Sequence, residues 1–312
     1  MESWTFDDFD EYASAVQDVN LEMMLQKLIF PRWTIRQIEI DGVRIQHGEQ
    51  GSGDITKGLT RSDGFFLYAP WSNEHHQRSE GTNLAFDSML VYGPESELHL
   101  SSQIDHAWCT IFIPTEQVLE DGDASRFRNK RHIAQKSQQF VRRFREATRS
   151  LYEAIEAAPE MAASCTLALA MRGYRDMAAE LIFGGQTLAT PNMGRPSLCR
   201  REIVRRAQAL IDSHDHLTIS VGDLAAACEV SERTLRSTFQ AYFGISPHRY
   251  MQLRRIHQIR RDLIATDPES ASVAQVLLRN GEWEFGRFAG RYRKAFGELP
   301  SETLRRSKGS IR

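Results

Sequence analysis

The sequence has few of the features that mark secreted or membrane proteins. Its four cysteines lie far apart, at 109, 165, 199 and 228, with no C-x-x-C pair, a pattern typical of reduced thiols in a cytosolic protein. No apolar run approaches the ~20 residues that a membrane helix needs. The acidic first residues lack the basic, apolar and small-residue order of a signal peptide. We therefore expect a cytoplasmic protein that makes no contact with a membrane.

Motifs of catalysis are missing as well. The sequence contains no nucleophile elbow, P-loop or dinucleotide-binding glycine pattern, and "EQGSGD" (49–54) predicts a turn rather than a phosphate-binding loop. His47, His75, His76, His99 and His106 could converge in a barrel, but no H-x-H with a following Glu at metalloprotein spacing is present. We expect no enzyme activity, no metal and no other cofactor. An enzyme or metal-dependent sensor built on the first half is the less favoured alternative.

Positive charge is scarce in the first part of the chain and abundant in the last. Residues 200–312 carry 20 Lys and Arg against 13 Asp and Glu, whereas residues 1–199 carry 19 against 28. A basic segment joined to an acidic one suggests a polyanionic partner for the basic segment. A chance surplus of solvated charges explains the composition equally well.

The pattern along the chain predicts two domains, at 1–183 and 200–312, joined by a linker at 184–199 that is rich in Gly, Pro and polar residues. Between about 33 and 114, short runs rich in β-branched and aromatic residues predict an antiparallel barrel or sandwich. A helix is expected at 8–28. Two more are expected between about 137 and 183, packed either on the sheet or on a second subunit. Helices are predicted after the linker at about 198–213, 221–228, 232–243, 247–265, 272–280, 284–296 and 301–306.

Two of these helices follow a shorter helix closely and carry basic residues on one face. In "DLAAACEVSERTLRSTF" (223–239), Ser231 is placed to cap the second helix. Leu235, Phe239 and Tyr242 share its inner face by helical spacing. A helix of this kind fits the major groove, and guanidinium groups match the paired acceptors of guanine. The outer face carries Arg233, Arg236, Ser237 and Gln240. A simple helical hairpin with solvated arginines is the alternative.

The pattern recurs in "SVAQVLLRNGEWEFGRFAGRYRKAF" (272–296), where Gly281 is predicted to end the first helix. Phe285, Phe288, Tyr292 and Phe296 are predicted to face inward, and Glu284, Arg287, Arg291 and Lys294 outward. The connecting segment 246–265 predicts a helix of roughly 27 Å, close to the ~34 Å between successive major-groove faces. The phosphate-contact candidates are Arg254, Arg255, Arg260 and Arg261 on this helix, together with Lys294.

Residues 200–306 resemble the DNA-binding domain of the AraC/XylS transcriptional regulators. The resemblance rests on "LAAACEVSERTLRSTFQAYFGISPHRYMQLRRI" and "VAQVLLRNGEWEFGRFAGRYRKAFGELPSETL". It implies base contacts by Arg233, Arg236, Ser237 and Gln240 in one groove and by Glu284, Arg287 and Arg291 in the next. Two positions depart from the family pattern: Glu229 stands where Gly is usual, and Glu282 where Phe is usual.

The resemblance implies an α+β fold: a cupin-like β-barrel or sandwich with flanking helices, then an all-α domain of two helix-turn-helix units joined by a long helix. It also implies a regulator, an activator that responds to a small effector, with double-stranded DNA, a second copy of the chain and RNA polymerase as partners. The alternative is a regulator controlled by dimerisation or a protein partner. The first half is loosely similar to activators of ethanolamine operons, in "TIRQIEIDGVRIQHGEQGSGDI" and "WCTIFIPTEQVLED".

Aromatic residues of the first half are candidates for an effector pocket. Trp33, Phe66, Trp71 and Trp108 could form apolar walls, with His75 or His76 as a polar contact. Core and turn positions are the alternative assignment for these residues.

Overall fold

The computed structural model describes residues 1–72, 77–119, 124–133, 138–158, 165–184, 199–213 and 219–306. The predicted linker lies almost entirely outside these ranges, as does His75. No helix within them is long and apolar enough to cross a bilayer. The strands are β1 (Glu2–Phe6), β2 (Val19–Leu25), β3 (Trp33–Ile40), β4 (Val43–Gln50), β5 (Asp54–Thr60), β6 (Gly64–Pro70), β7 (Gln77–Ser79), β8 (Thr82–Asn83), β9 (Leu90–Tyr92), β10 (Glu97–Ser102), β11 (His106–Pro114) and β12 (Arg131–Ile133).

The helices follow the strands, apart from one short helix near the start of the chain. Two 3-10 turns, Thr115–Gln117 and Ser125–Phe127, lie just after β11. The α-helices are α1 (Phe9–Ala15), α2 (Gln138–Ala157), α3 (Cys165–Phe183), α4 (Arg200–Ser213), α5 (Val221–Ala227), α6 (Glu232–Phe243), α7 (Pro247–Ala265), α8 (Val273–Arg279), α9 (Phe285–Phe296) and α10 (Pro300–Arg306).

The strands form two antiparallel sheets that face one another. The larger has the order β1-β3-β4-β11-β6-β9-β12, and the smaller β2-β5-β10-β7-β8. In the larger sheet Thr110 pairs with Gln46 on one side and Tyr68 on the other. The prediction of an α+β fold with an N-terminal β-sandwich and a helical C-terminal region is confirmed.

Successive side chains of a strand point to opposite faces of a sheet, and the core clusters follow this rule. On β11, Cys109, Ile111 and Ile113 pack outward against α2 and α3, whereas Trp108 points into the sandwich. The two helices that follow the β-rich part therefore lie on the outer face of the seven-stranded sheet, which decides between the two packings that the sequence left open.

The helical region (residues 199–306) begins its helices with the expected caps. The Ser231 hydroxyl accepts from the Thr234 amide, and the Ser246 hydroxyl from the Arg249 amide, ahead of Pro247. Ser220 and Ser272 form capping boxes at the starts of α5 and α8. The two pairs α5–α6 and α8–α9 are thus two helix-turn-helix units, joined by the 19-residue helix α7.

The single helix predicted at 8–28 is wrong. Helix α1 ends at Ala15, Asp18 adopts a left-handed turn with φ +65, and the chain continues as β2. Leu and Met favour helices in isolation. Here pairing of all seven β2 residues with β5 outweighs that preference.

The turn of the first helix-turn-helix unit contains a strained residue. Glu229 has φ +56, and its amide donates to the Ala226 carbonyl. Left-handed backbone costs a residue with a side chain roughly 1–2 kcal/mol, which glycine avoids. The resemblance had marked this position as one where Gly is usual, and the backbone explains why.

We expect Glu229→Gly to raise the free energy of unfolding of the helical region by about 0.5–1 kcal/mol, measured as a higher thermal midpoint. The ion pair between Glu229 and Arg206, 3.6 Å and largely exposed, contributes little. Glu229→Ala is the control because it loses that pair and keeps the strain. Equal midpoints for the Gly and Ala variants would contradict this account.

Candidate DNA-binding and effector sites

Helix α6 has the two faces that the sequence predicts. Leu235, Phe239 and Tyr242 are buried. Its exposed side carries a pair, Arg236 Nη2 to Glu232 Oε2 at 2.7 Å, that is open to solvent on both sides. An exposed ion pair of this kind contributes less than ~1 kcal/mol to stability. Arg236 can therefore leave Glu232 for another acceptor at little cost. All four residues that the sequence predicts as base contacts on α6 are exposed: Arg233, Arg236, Ser237 and Gln240.

Helix α9 presents a second basic face, in part already paired. Arg287 donates to Glu284 at 2.7 Å, and both side chains are mostly exposed. Arg291 donates to Glu282 at 2.7 Å. Glu282 is buried at the turn, where it also accepts from the Glu284 amide at 3.3 Å. The departure from the family pattern at Glu282 therefore fixes Arg291 to the turn, whereas Lys294 stays exposed.

Two aromatic residues at the start of α9 point away from the core. Phe288 and Tyr292 are buried as predicted, but Phe285 is exposed, which corrects its predicted inward position. Trp283, which the sequence analysis did not single out, is 75 % exposed beside it. In a groove-binding helix such residues contact thymine methyl groups.

Three of the four arginines of α7 that the sequence predicts as phosphate contacts are held by other parts of the protein. Arg254 is buried and pairs with Glu22 and Asp212. Arg260 is 3 % exposed and pairs with three carboxylates. Its Nη2 lies 2.7 Å from Asp8, its Nε 2.5 Å from Asp10 and its Nη1 2.5 Å from Glu298. A phosphate would have to displace these carboxylates. Arg255 donates to the carbonyls of Asn280 and Gly281, and Arg261, which is exposed, lies 3.5 Å from Glu22.

These ion pairs join the helical region to the β-sandwich. Burial favours the neutral acid at Glu22, but Arg254 and Lys57 outweigh it and hold the pKa of that carboxyl below its usual value. His257 Nε2 lies 3.0 Å from the Leu25 carbonyl, between the rings of Phe9 and Phe296.

The end of α6 is held by the five-stranded sheet through its last carbonyls. Arg78 Nη1 donates to the Gln240 carbonyl at 3.2 Å, and Gln103 Nε2 to the Phe243 carbonyl at 2.9 Å. Gly244 then turns the chain with φ +73, and a Cβ there would lie 2.6 Å from Gln103 Nε2. The left-handed backbone therefore favours glycine at this position, and a larger residue would also displace the Gln103 amide.

The five-stranded sheet separates this interface from an interior cavity. On β2, Met23 lines the cavity and Met24 joins the core of the helical region. On β5, Asp54 and Thr56 line the cavity, whereas Ile55 joins that core. Strands β7 and β10 repeat the alternation: Gln77, Leu98 and Leu100 face the cavity, and Arg78, Glu97 and His99 face the helices.

The polar end of the cavity contains an acid and a histidine. Asp54 Oδ1 lies 3.6 Å from His106 Nε2, and Thr56 Oγ1 donates to Asp54 Oδ2. Burial raises the pKa of Asp54 and lowers that of His106, although each opposes the shift of the other. His106 was among the histidines considered in the sequence. Asp54 and Gln50, on either side of a turn, carry no pattern that would single them out.

The predicted effector-pocket residues fall into three groups. Phe66 and Trp108 line the cavity. Trp33 is buried in the same apolar cluster but contacts Phe9 instead. Trp71 lies on the opposite face of the seven-stranded sheet, under the guanidinium of Arg145 with 4.5 Å to its ring centroid, so it is not part of this cavity.

We expect Arg260→Met to destabilise the protein by about 3 kcal/mol, because it leaves Asp8, Asp10 and Glu298 with less compensation in a buried site. Arg261→Met, which removes one exposed pair, should cost less than about 1 kcal/mol. Chemical denaturation of both variants measures the difference. Similar losses in the two would mean that Arg260 does not hold the interface.

The free energy of unfolding should also decrease as the pH is lowered, because His257 is buried in its neutral form. Burial lowers its pKa to about 4, so the unfolded chain binds a proton below pH 6.5 that the folded chain does not. The contribution is complete above pH 6.5 and is lost as the pH falls towards 4. Between pH 7 and 5 this amounts to about 2 kcal/mol.

His257→Gln keeps an N–H donor for the Leu25 carbonyl and removes the titration, so its stability should vary less between pH 7 and 5 than that of the wild type. His248→Gln is the control, because His248 is exposed on the same helix. Unfolding curves at the two pH values provide the measurement. An unchanged pH dependence in His257→Gln would refute the assignment.

Sequence comparisons match the region that carries the two units. Residues 224–306 match the model of a helix-turn-helix domain. A probable thc operon regulatory protein of Rhodococcus erythropolis is 38 % identical over 103 residues, 33 % of this chain and 31 % of that protein. A XylDLEGF operon transcriptional activator of Pseudomonas putida is 35 % identical over 106 residues, 34 % of this chain and 33 % of that protein.

The aligned part spans about a third of the length of these relatives. Among solved structures, the AraC-like transcriptional activator CuxR aligns over 82 % of this chain and 94 % of its own, with 12 % identity and a TM-score of 0.44, a likeness too weak to carry functional information. The likeness to known proteins therefore rests on the sequence matches over the helical region. Residues 224–306 form a helix-turn-helix domain that is similar in sequence to those of the thc operon regulatory protein and the XylDLEGF operon activator.

Proposed function

We propose that the chain is an effector-responsive transcriptional activator whose two helix-turn-helix units read operator DNA. The observation that carries the proposal is that the two faces of the five-stranded sheet contact different parts of the molecule. One face lines a cavity, and the other holds the helical region through Met24, Ile55 and Arg78.

DNA recognition is assigned to the exposed faces of α6 and α9. Arg233 and Arg236 extend from α6 near its start, the end at which recognition helices meet base edges. On α9 the corresponding residues are Glu284, Arg287 and Arg291. Arg291 must leave Glu282 to reach a base, so we assign the larger share of specificity to α6.

Phosphate contacts fall to exposed cations, and Lys294 and Arg261 are the ones proposed earlier that meet this condition. Arg254 and Arg255 would serve only if the helical region left the sandwich or the second turn opened. The predicted homodimer and the contact with RNA polymerase stay proposals that follow from the activator role.

The cavity supplies the control. A ligand there touches Met23, Asp54 and Leu100, whose neighbours Met24, Ile55 and Ser101 touch the helical region. A shift of these strands changes the hydrogen bonds that the sheet donates to the Gln240, Tyr242 and Phe243 carbonyls of α6. Binding energy in the cavity is thereby coupled to the freedom of the first reading helix.

We expect Arg233→Ala and Arg236→Ala each to weaken binding to the preferred operator by about 1–3 kcal/mol, or roughly 5- to 150-fold, and Arg236→Ala to relax the preference at one base pair. Fluorescence anisotropy with operators selected from genomic fragments measures this. Affinity of the wild type should also fall steeply with salt.

The matched control is Arg205→Ala, which removes an exposed, paired arginine from α4 in the same region. It should change operator affinity by less than about threefold. If Arg236→Ala bound every sequence as well as the wild type, or if Arg205→Ala lost as much affinity, the assignment of α6 would be overturned.

A further inference from the structure

Helices α6 and α9 have the same length and bury the same positions. Each has 12 residues and ends at a glycine in left-handed conformation, Gly244 with φ +73 and Gly297 with φ +79. In both helices the fourth and eighth residues are buried. They are Leu235 and Phe239 on α6, and Phe288 and Tyr292 on α9. Residues at the same position along the two helices therefore have the same orientation relative to the core, and the two units can be compared position by position.

The face that carries the candidate base contacts on α6 is nearly bare on α9. On α6 the second, fifth and sixth residues are Arg233, Arg236 and Ser237. On α9 they are Gly286, Ala289 and Gly290. A Cβ added at either glycine would meet no atom of the described chain within 4 Å outside its own helix backbone. This face of α9 is therefore open, and at these three positions it offers no side-chain hydrogen-bond donor.

Two aromatic side chains lie open to water at the start of α9. Trp283, two residues before the helix, is 75 % exposed, and Phe285, the first residue of the helix, is 38 % exposed. Phe285 and Ala289 are neighbours on the helix surface at i and i+4, so the aromatic residues extend the open face. Neighbouring apolar side chains that are exposed together mark an interaction site.

Positive charge surrounds these aromatic residues. Four cations of α9 are exposed, and within 283–296 they face one exposed carboxylate, that of Glu284. The cations are Arg287, Arg291, Arg293 and Lys294. Such a surplus favours a polyanion as the partner of this surface. The apolar group that double-stranded DNA presents in its major groove is the 5-methyl group of thymine.

We propose that the second helix-turn-helix unit selects its part of the operator through thymine methyl groups, with Trp283 as the main contact and Phe285 and Ala289 beside it. The inference rests on the proposed function, in which α9 enters a major groove. The two units then read different chemistry: α6 recognises hydrogen-bonding groups of the bases through its arginines, and α9 recognises methyl groups. Gly286 and Gly290 leave room for the base edges to approach the helix closely.

The test removes single methyl groups from the DNA. Each thymine of the selected operator is replaced in turn by deoxyuridine, which lacks the 5-methyl group and keeps the same base pairing. The full chain should lose affinity by about fourfold for each methyl group that it buries. The sensitive thymines should lie about one helical turn, ~10 base pairs, from the position where Arg236→Ala relaxes the preference. Fluorescence anisotropy measures the affinities.

Trp283→Ala tests whether the methyl group meets this side chain. The variant should bind the thymine operator more weakly by about fourfold or more. It should show no further loss with deoxyuridine at the sensitive position, because both changes remove the same contact. Trp283→Phe keeps an aromatic ring and should retain part of the deoxyuridine effect.

Leu278→Ala is the matched control, since Leu278 is a 38 % exposed apolar residue on the supporting helix α8 of the same unit. It should keep both the operator affinity and the deoxyuridine effect. Circular dichroism establishes that each variant is folded, as expected for changes at exposed side chains.

The outcomes are distinct. An equal deoxyuridine loss in the wild type and in Trp283→Ala, or no loss in the part of the operator that α9 contacts, would overturn the inference and leave the regulator intact. Trp283→Ala that binds DNA like the wild type but fails to activate transcription would overturn it in favour of a protein partner for the aromatic residues. A wild-type chain that binds no operator would overturn the proposed function instead.

Discussion

Two buried arginines of α7, Arg254 and Arg260, each pair with at least one carboxylate from the other half of the chain. Arg260 meets Asp8 and Asp10 of the first helix, and Arg254 meets Glu22 of β2. Unpaired charges in such positions are unstable, so the helical region and the sandwich stabilise one another. The acidic and basic halves seen in the composition are therefore complementary within one molecule, before any nucleic acid is considered.

This complementarity gives the protein a defined closed arrangement. One face of the five-stranded sheet lines the cavity, and the other face packs against the helical region. The contacts at the end of α6 are hydrogen bonds to main-chain carbonyls, which depend on position more than on side-chain identity. Small movements of the sheet would therefore displace the end of α6 directly.

The helix-turn-helix units were predictable because their information is local. Serine caps, helical spacing of apolar residues and a glycine stop determined α5 to α9, and the buried and exposed faces of α6 agree with the spacing. The exposure of Phe285 was not predictable, since helical spacing places it on the same face as the buried Phe288 and Tyr292. Likewise β2 reads as a helix until its pairing with β5 is known.

The position of the cavity could not be predicted from the sequence, for a similar reason. Its polar residues come from strands that meet only in the folded sandwich, and single Asp, Gln and Thr side chains carry no spacing pattern. Aromatic content predicted a pocket but not its position: Phe66 and Trp108 line it, whereas Trp71 lies behind the neighbouring sheet. The burial of Arg254 and Arg260 was not predictable, because their partners Glu22, Asp8 and Asp10 lie more than two hundred residues away in the sequence.

The alternation along β2 and β5 has an evolutionary consequence. Neighbouring residues have different surroundings: Met23 and Asp54 line the cavity, whereas Met24 and Ile55 pack in the core of the helical region. Under the proposed function, substitutions in the first set would change the ligand that the cavity accepts and leave the contacts with the helical region in place. An insertion or deletion of a single residue would exchange the two sets at once, so these strands should tolerate changes of chemistry but not of length.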